Sequence, residues 1–176
     1  ALGLHGSDEW ETTETRFGYE SPTTPGQVFD YDMASQARTL IKTQEVPSGH
    51  SIDDYVVHRI MAPSHDGVHV PVTVMHHRDT PLDGTAPLYL YGYGSYGMSM
   101  PASFSIKRLS LADRGMITAT AHVRGGADMG YGWYLDGKME KKTNTFIDFI
   151  AARDALVDRG WVDGTRVGAE GGSAGG

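Results

Sequence analysis

Cysteine is absent from all 176 residues of the sequence. This absence excludes a disulfide framework, a thiolate nucleophile and any metal site built on thiolates. A chain that needs no disulfides fits a reducing compartment. The cytoplasm is therefore the expected location, with the periplasm as the alternative.

The eight histidines do not take the place of cysteine as metal ligands. His65 and His69 flank a predicted turn, and His76 and His77 point to opposite faces of a predicted strand. No pair converges at the spacing that a metal ion requires. Neither a metal nor an organic cofactor is expected.

Basic clusters and long apolar runs are also lacking. The 15 Lys and Arg residues are outnumbered by 22 Asp and Glu residues, so the formal net charge is −7. This balance does not suit nucleic acid or anionic membranes as partners. No apolar run approaches the roughly 20 residues that span a bilayer. With 39% hydrophobic residues, the composition is typical of a globular protein with one domain and part of another.

The first part of the chain predicts a small antiparallel meander. Strands are predicted at 16–19, 27–32 and 40–43, separated by turns rich in proline, glycine and polar residues. Such a meander is typical of part of a β-propeller blade. It is too small to fold alone, because two or three short strands bury little apolar surface.

A hairpin follows the meander. Strands are predicted at 55–60 and 69–75, and the Asp66-Gly67 pair between them is a strong turn signal. Because proline cannot donate to a neighbouring strand, Pro71 predicts that the second strand lies at a sheet edge or is bulged.

From residue 87 onward the pattern changes to alternating strands and helices. Strands are predicted at 88–91, 116–123 and 166–169, and helices at 105–114 and 145–159. Strand-helix-strand repeats of this length predict right-handed crossovers and an open parallel sheet. The fold class is therefore α/β.

The second of these helices has recognisable ends and one apolar side. Asn144 is its predicted N-cap, and Gly160 is the residue expected to end it. The side expected to face the core carries Phe146, Phe149, Ile150 and Val157.

The last six residues contain a serine between glycines. Gly171, Ser173 and Gly175 form the GxSxG pattern of a nucleophile elbow, which requires a strand immediately before it. A flexible Gly/Ser tail is the alternative, but the predicted strand 166–169 favours the nucleophile. In the α/β-hydrolase chain order an acid and then a histidine follow the serine, so both are expected beyond Gly176. The chain by itself is therefore expected to be inactive.

A glycine-rich segment at 92–97 matches GxGxxG. A dinucleotide site is rejected, because residues 98–101 do not open the helix that such a site needs and two tyrosines would crowd the phosphates. We predict instead an oxyanion loop, in which the Tyr93 hydroxyl and the backbone amide of Ala174 donate to a developing negative charge. Two tyrosines packed at a core edge are the alternative.

Two charged segments have less specific interpretations. The segment 124–126 (Arg-Gly-Gly) follows a predicted strand at the edge where α/β proteins bind ligands, and a simple glycine turn is its alternative. The run 138–142 is interpreted as a solvent-exposed face.

Taken together, several motifs resemble the prolyl oligopeptidase family of serine peptidases. The motifs lie in the family's order, and the resemblance runs from about residue 22 to residue 176. Within the family it is greatest to the oligopeptidase B branch. The segments that carry it are 90–97, 108–115, 122–126, 133–138, 141–146 and 171–176.

The resemblance implies a domain organisation. Residues 1–47 would be the end of a seven-bladed β-propeller. Residues 48–176 would be the N-terminal portion of an α/β-hydrolase domain, ending at the nucleophile elbow. The chain would then be a fragment of a longer peptidase.

The resemblance also implies roles for single residues. Ser173 would be the nucleophile, Tyr93 and the amide of Ala174 the oxyanion hole, and Tyr96 a wall of the primary specificity pocket. The implied activity is hydrolysis of short peptides after Arg or Lys through an acyl-enzyme, with the acidic residues that recognise the basic side chain beyond Gly176. An esterase of the same fold and a non-catalytic scaffold remain the alternatives.

Two departures from the family pattern concern specificity. Pro101 and Ser103 stand where relatives often carry a pair of acids beside the second subsite. The segment 126–128 reads Gly-Ala-Asp where the family has Gly-Gly-Glu. Both weaken the expectation of a preference for paired basic residues.

Overall fold

The computed structural model describes residues 1–6 and 9–176. They form two compact units, one of residues 1–54 with 101–106 and one of residues 55–100 with 107–176. No helix within the described part is long and apolar enough to cross a membrane.

The first unit is built on an antiparallel sheet whose strands pair in chain order. The strands are β1 (Leu2–His5), β2 (Glu14–Tyr19), β3 (Gln27–Asp32) and β4 (Arg38–Thr43). The last three confirm the predicted meander. β1 was not predicted, because four exposed residues show no useful alternation.

Cross-strand pairs join β2 to β3. The rings of Phe17 and Phe29 stack with centroids 5.1 Å apart. One residue earlier on β2, Arg16 forms an ion pair of 2.6 Å with Asp30. Successive side chains of a strand point to opposite faces, so the aromatic and the ionic pair stabilise opposite sides of the sheet.

The second unit contains a five-stranded mixed sheet in the order β5-β6-β8-β7-β9. Its strands are β5 (Tyr55–Pro63), β6 (His69–His77), β7 (Ala86–Gly92), β8 (Ile117–Ala121) and β9 (Val162–Glu170). β7 is parallel to both β8 and β9, as the alternating pattern predicted. The β5-β6 hairpin joins the same sheet through antiparallel pairing of β6 with β8.

Three helices accompany this sheet: α1 (Ile106–Ala112), α2 (Tyr131–Leu135) and α3 (Thr143–Asp158). Gly160 follows α3 with φ +67°, in the left-handed region that ends many helices. The core lies between α3 and the central strands. Its fully buried side chains include Val70, Val72, Val74, Leu88, Leu90, Ile117 and Leu156.

The prediction for Pro71 was wrong, because β6 lies inside the sheet. The carbonyl oxygen of Pro71 accepts a hydrogen bond from the amide of His122, just after the end of β8. In a strand the amide and carbonyl of one residue point to the same side. The nitrogen of Pro71 therefore faces the end of β8 rather than β5, and the pairing of Met61 with Pro71 in β5-β6 needs no N–H from proline.

The predicted core face of α3 was wrong in part. Phe149 and Val157 pack against the core. Phe146 and Ile150 are 56% and 57% exposed. The buried side is formed by mostly small residues, Thr145, Asp148, Ala152, Ala155 and Leu156. Small side chains let the helix approach the sheet closely, which a row of phenylalanines would prevent.

Asn144 does not cap this helix. Its side-chain amide donates a 2.9 Å hydrogen bond to the carbonyl oxygen of Asp136. Lys142 occupies the N-cap position and makes no side-chain capping bond there.

Candidate active site

Ser173 lies on a tight turn directly after β9. Its φ is +52°, a left-handed conformation that is rare for a residue with a side chain. The turn is a single 3-10 turn over Ser173–Gly175, and Ser173 itself is exposed. A strained and accessible serine at the end of a parallel strand has the geometry of a nucleophile elbow.

The flanking glycines are required by close contacts. A Cβ atom on Gly171 would overlap the carbonyl oxygen of Gly175. A Cβ atom on Gly175 would lie 3.0 Å from the Cα atom of Tyr93. The pattern seen in the sequence therefore reflects the space available on both sides of Ser173.

Sheet topology brings the Tyr93 loop (residues 92–97) to the elbow. The loop follows β7 and the elbow follows β9, and the two strands are adjacent and parallel, with Tyr91 opposite Glu170. The carboxyl ends of parallel neighbours lie at one edge of the sheet. Tyr93 and Ala174 consequently line the same cleft.

The cleft has a volume of about 470 Å³. Besides Tyr93 and Ala174, its lining includes Phe146, Phe149 and Ile150 of α3. Three of the four apolar residues predicted to face the core thus form a wall beside the elbow. The half-buried ring of Phe149 also explains why residue 92 is glycine, because a Cβ atom there would lie 2.8 Å from that ring.

Contacts to α3 and to the segment after β8 hold the Tyr93 loop in shape. Gly94, at φ +69°, is packed so tightly that a Cβ atom would overlap Cγ2 of Thr145. The amide of Gly97 donates a 3.0 Å hydrogen bond to the carbonyl oxygen of Gly125. The Arg-Gly-Gly segment therefore supports this loop through its glycine backbone.

Lys142 is a further contact of the loop and corrects the interpretation of the 138–142 run. Its ammonium group donates to the carbonyl oxygen of Gly94 at 2.5 Å and to Oγ of Ser95 at 2.8 Å. The side chain is half-buried, and this burial lowers the pKa of Lys142. Lys141, by contrast, is 60% exposed and pairs with Asp136, as expected of a solvated face.

Arg124 and Asp148 form a buried ion pair that sequence reasoning missed. The guanidinium donates through Nε and Nη2 to the two carboxylate oxygens at 2.9 and 2.7 Å. The backbone amide of Arg124 donates to the same carboxylate at 3.0 Å, and Asp66 accepts a further bond of 2.5 Å. Hydrogen bonds to Asp148 raise the pKa of Arg124 against the opposing effect of burial.

This ion pair supports the site without touching it. It fastens the end of β8 to α3, and Thr145 adds a 2.6 Å hydrogen bond to the carbonyl oxygen of Arg124. One signal was present in the sequence. Thr145, Asp148 and Ala152 recur at the helical spacing of three and four residues, which marks a face, but an aspartate on that face resembles a solvated position.

Tyr96 does not line the cleft beside the elbow. It is 73% exposed at φ +58°, and it is absent from the cleft lining in the described part of the chain. Its predicted contact with a substrate stays a prediction.

Several histidines are held by side-chain hydrogen bonds. His58 and His76 lie with their Nε2 atoms 3.2 Å apart, and His122 is bonded to Asp128 at 2.9 Å. Across residues 1–6 and 9–176, no group of three or more His, Asp or Glu side chains could hold a metal ion.

Comparison with known proteins connects this geometry to one family. A model of the prolyl oligopeptidase family matches residues 102–176. Dipeptidyl aminopeptidase BI of Pseudoxanthomonas mexicana is 45% identical over 177 residues, covering 100% of this chain and 24% of that protein. Protease 2 of Moraxella lacunata is 40% identical, covering 95% of this chain and 24% of its own length.

Solved structures agree with the sequence relatives. Oligopeptidase B from Leishmania major superposes with a TM-score of 0.90 at 40% identity, over 98% of this chain and 25% of that one. Oligopeptidase B from Trypanosoma brucei with covalently bound antipain gives a TM-score of 0.91 at 37% identity, over the same shares of the two chains.

These matches confirm the resemblance to the prolyl oligopeptidase family of serine peptidases, including its oligopeptidase B members. They also confirm the fold class, an antiparallel propeller-type sheet followed by the first part of an α/β-hydrolase sheet. The chain spans about a quarter of the length of the relatives it matches.

Proposed function

We propose that the protein carrying this chain is a serine peptidase that forms an acyl-enzyme on Ser173. The observation that carries this proposal is the φ of +52° at an exposed serine directly after a parallel strand. Strain at a residue with a side chain is retained where it serves a function. The names of the relatives, all peptidases, support hydrolysis of peptides as the reaction.

The proposed reaction uses Ser173 and two donors beside it. The Oγ atom of Ser173 attacks the substrate carbonyl and gives its proton to a histidine, which the hydrolase chain order puts after the nucleophile. The carbonyl oxygen becomes an anion that accepts hydrogen bonds from the Tyr93 hydroxyl and the Ala174 amide. The C–N bond then breaks, the amine takes the proton, and water hydrolyses the acyl-enzyme.

Substrate and organisation are proposed from the family resemblance. Cleavage is expected after Arg or Lys, with Tyr96 as a wall of the pocket. Residues 1–47 would belong to a propeller that limits entry to short peptides, and residues 48–176 to the hydrolase domain. The protein would work in the cytoplasm, without nucleic acid or membrane partners.

A fluorophosphonate probe tests the proposal directly, because it reacts only with an activated serine. We expect the probe to label the protein carrying this chain, and peptide mass mapping to locate the adduct on Ser173. A heat-denatured sample is the control and should remain unlabelled. An adduct on another serine, or no adduct, would overturn the proposal.

Matched substrates separate a peptidase from an esterase. For a peptidase we expect turnover of both the amide and the ester of one acyl-arginine, since the leaving amine is protonated in the site. Turnover of the ester alone would favour the esterase.

Replacing Tyr93 with phenylalanine tests the oxyanion hole. The variant keeps the ring in the cleft but removes the hydroxyl donor, so kcat is expected to fall by about 10²-fold or more with little change in KM. Tyr91→Phe is the matched control, because Tyr91 lies two residues earlier, on β7, and its ring packs under Arg108 and does not line the cleft. Equal kcat in both variants would remove Tyr93 from the oxyanion hole.

A further inference from the structure

We propose that Lys142 is a positioning residue of the oxyanion hole, whose ammonium group holds the Tyr93 loop against the nucleophile elbow. The inference rests on the proposed function of Ser173 and Tyr93, and it adds a residue from a third segment of the chain.

The contacts of Lys142 reach both sides of the oxyanion hole. Its Nζ atom donates to the carbonyl oxygen of Gly94, the residue next to Tyr93, at 2.5 Å. It also donates to Oγ of Ser95 at 2.8 Å. That hydroxyl in turn donates a long hydrogen bond of 3.4 Å to the carbonyl oxygen of Ala174. The ammonium group thus connects Gly94, the residue after Tyr93, with Ala174, whose backbone amide is the second donor of the oxyanion hole.

The position of Lys142 is unfavourable for a lysine that serves only to stabilise the fold. It occupies the N-cap of α3, where the helix dipole disfavours a positive charge. The side chain is half-buried, and burial lowers its pKa. In the described part of the chain no carboxylate lies within ion-pair distance of it.

A cation with these three disadvantages has a clear use beside an oxyanion hole. The donors must already point at the oxygen before charge develops on it, because reorientation during the reaction would raise the barrier. A charged donor bonds a carbonyl more strongly than a neutral one does. Lys142 therefore limits the motion of the loop that carries Tyr93, and its own positive charge adds to the potential that an anion meets there.

Lys142→Met in the protein carrying this chain is the primary test, because methionine keeps the apolar stem and removes the ammonium group. We expect kcat to fall by about 10- to 100-fold, the range for a misplaced catalytic group, with KM changed by less than about 3-fold. The melting temperature is expected to stay within about 3 °C, because an unfavourably placed charge is removed together with its hydrogen bonds.

Lys141→Met is the matched control. It removes the same charge one residue earlier, from a side chain that is 60% exposed and paired with Asp136. Its kcat should equal that of the parent protein. A similar fall of kcat in both variants would mean that net charge, rather than contact with the loop, is responsible, and it would overturn the proposal.

A double-mutant cycle with Tyr93→Phe separates positioning from general stability. If Lys142 acts through Tyr93, most of the effect of Lys142→Met disappears once the Tyr93 hydroxyl is absent. If the fold-losses of kcat in the two single variants simply multiply in the double variant, the proposal is contradicted. If Lys142→Met fails to fold, Ser95→Ala gives the same test, since it removes the hydroxyl that joins Lys142 to Ala174, and unchanged kcat in that variant would count against the connection.

The outcome is distinguishable from failure of the proposed function. Fluorophosphonate labelling of Ser173 in the parent protein tests the nucleophile alone. Labelled Ser173 together with parental kinetics in Lys142→Met would overturn only the role of Lys142, whereas an unlabelled parent protein would overturn the proposed function itself.

Discussion

Replacing Ser173 with alanine is expected to lower kcat for peptide hydrolysis by roughly 10⁴- to 10⁶-fold, as loss of the nucleophile does in serine peptidases. KM should change little, because the side chain forms a bond only after the substrate is in place. Steady-state assays with a fluorogenic arginine amide measure both kcat and KM. Residual turnover within 10-fold of the parent protein, a barrier change of only about 1.4 kcal/mol, would exclude Ser173 as the nucleophile.

Ser173→Gly provides the matched comparison. It should be as inactive as Ser173→Ala but more stable by about 1 kcal/mol, because only glycine adopts positive φ without a steric penalty. The observed φ of +52° at Ser173 is the basis of this expectation. Urea denaturation of the two variants measures the difference, and equal stability would contradict a strained elbow.

Replacing Asp148 with alanine is expected to reduce the free energy of unfolding by about 3–5 kcal/mol, the usual loss when one member of a buried ion pair is removed. Asp148 is 0% exposed, and Arg124 would remain buried without its main partner. Asp66 also contacts Arg124 but has a side chain that is 35% exposed, so it compensates only in part. The midpoint of urea denaturation gives the change.

Asp154→Ala is the control on the same helix. Asp154 pairs with Arg153 at 2.7 Å, but the two side chains are 48% and 39% exposed. Water screens such a pair, so a change of about 0–1 kcal/mol is expected. Similar losses in both variants would show that the helix, rather than the buried pair, is sensitive to substitution.

The elbow and the Tyr93 loop were predictable because their signals are short-range. Gly171 is needed by a contact with Gly175, four residues later, and Gly94 adopts a positive φ that favours glycine. The tertiary contact of Gly175 with Tyr93 adds to this local requirement. The strands other than β1 were predictable for the same reason, since alternation and turn residues act locally.

Lys142 and Asp148 were not predictable in this way. Lys142 bonds the carbonyl of Gly94 across 48 positions, and Asp148 bonds Arg124 across 24. A charged residue has the same local pattern whether it meets water or a buried partner. The predicted apolar face of α3 failed in part for a related reason, because Phe146 and Ile150 border a cleft instead of the core.

The sequence by itself determined the approximate positions of β2 to β9, which turns require glycine, and which serine stands on an elbow. These features depend on backbone sterics and on side-chain periodicity within one element. Only the tertiary structure decided which side of α3 is buried, which lysine of the 138–142 run leaves solvent, and that Arg124 and Asp148 meet. Those outcomes depend on desolvation and pairing between distant segments, and the sheet order sets both.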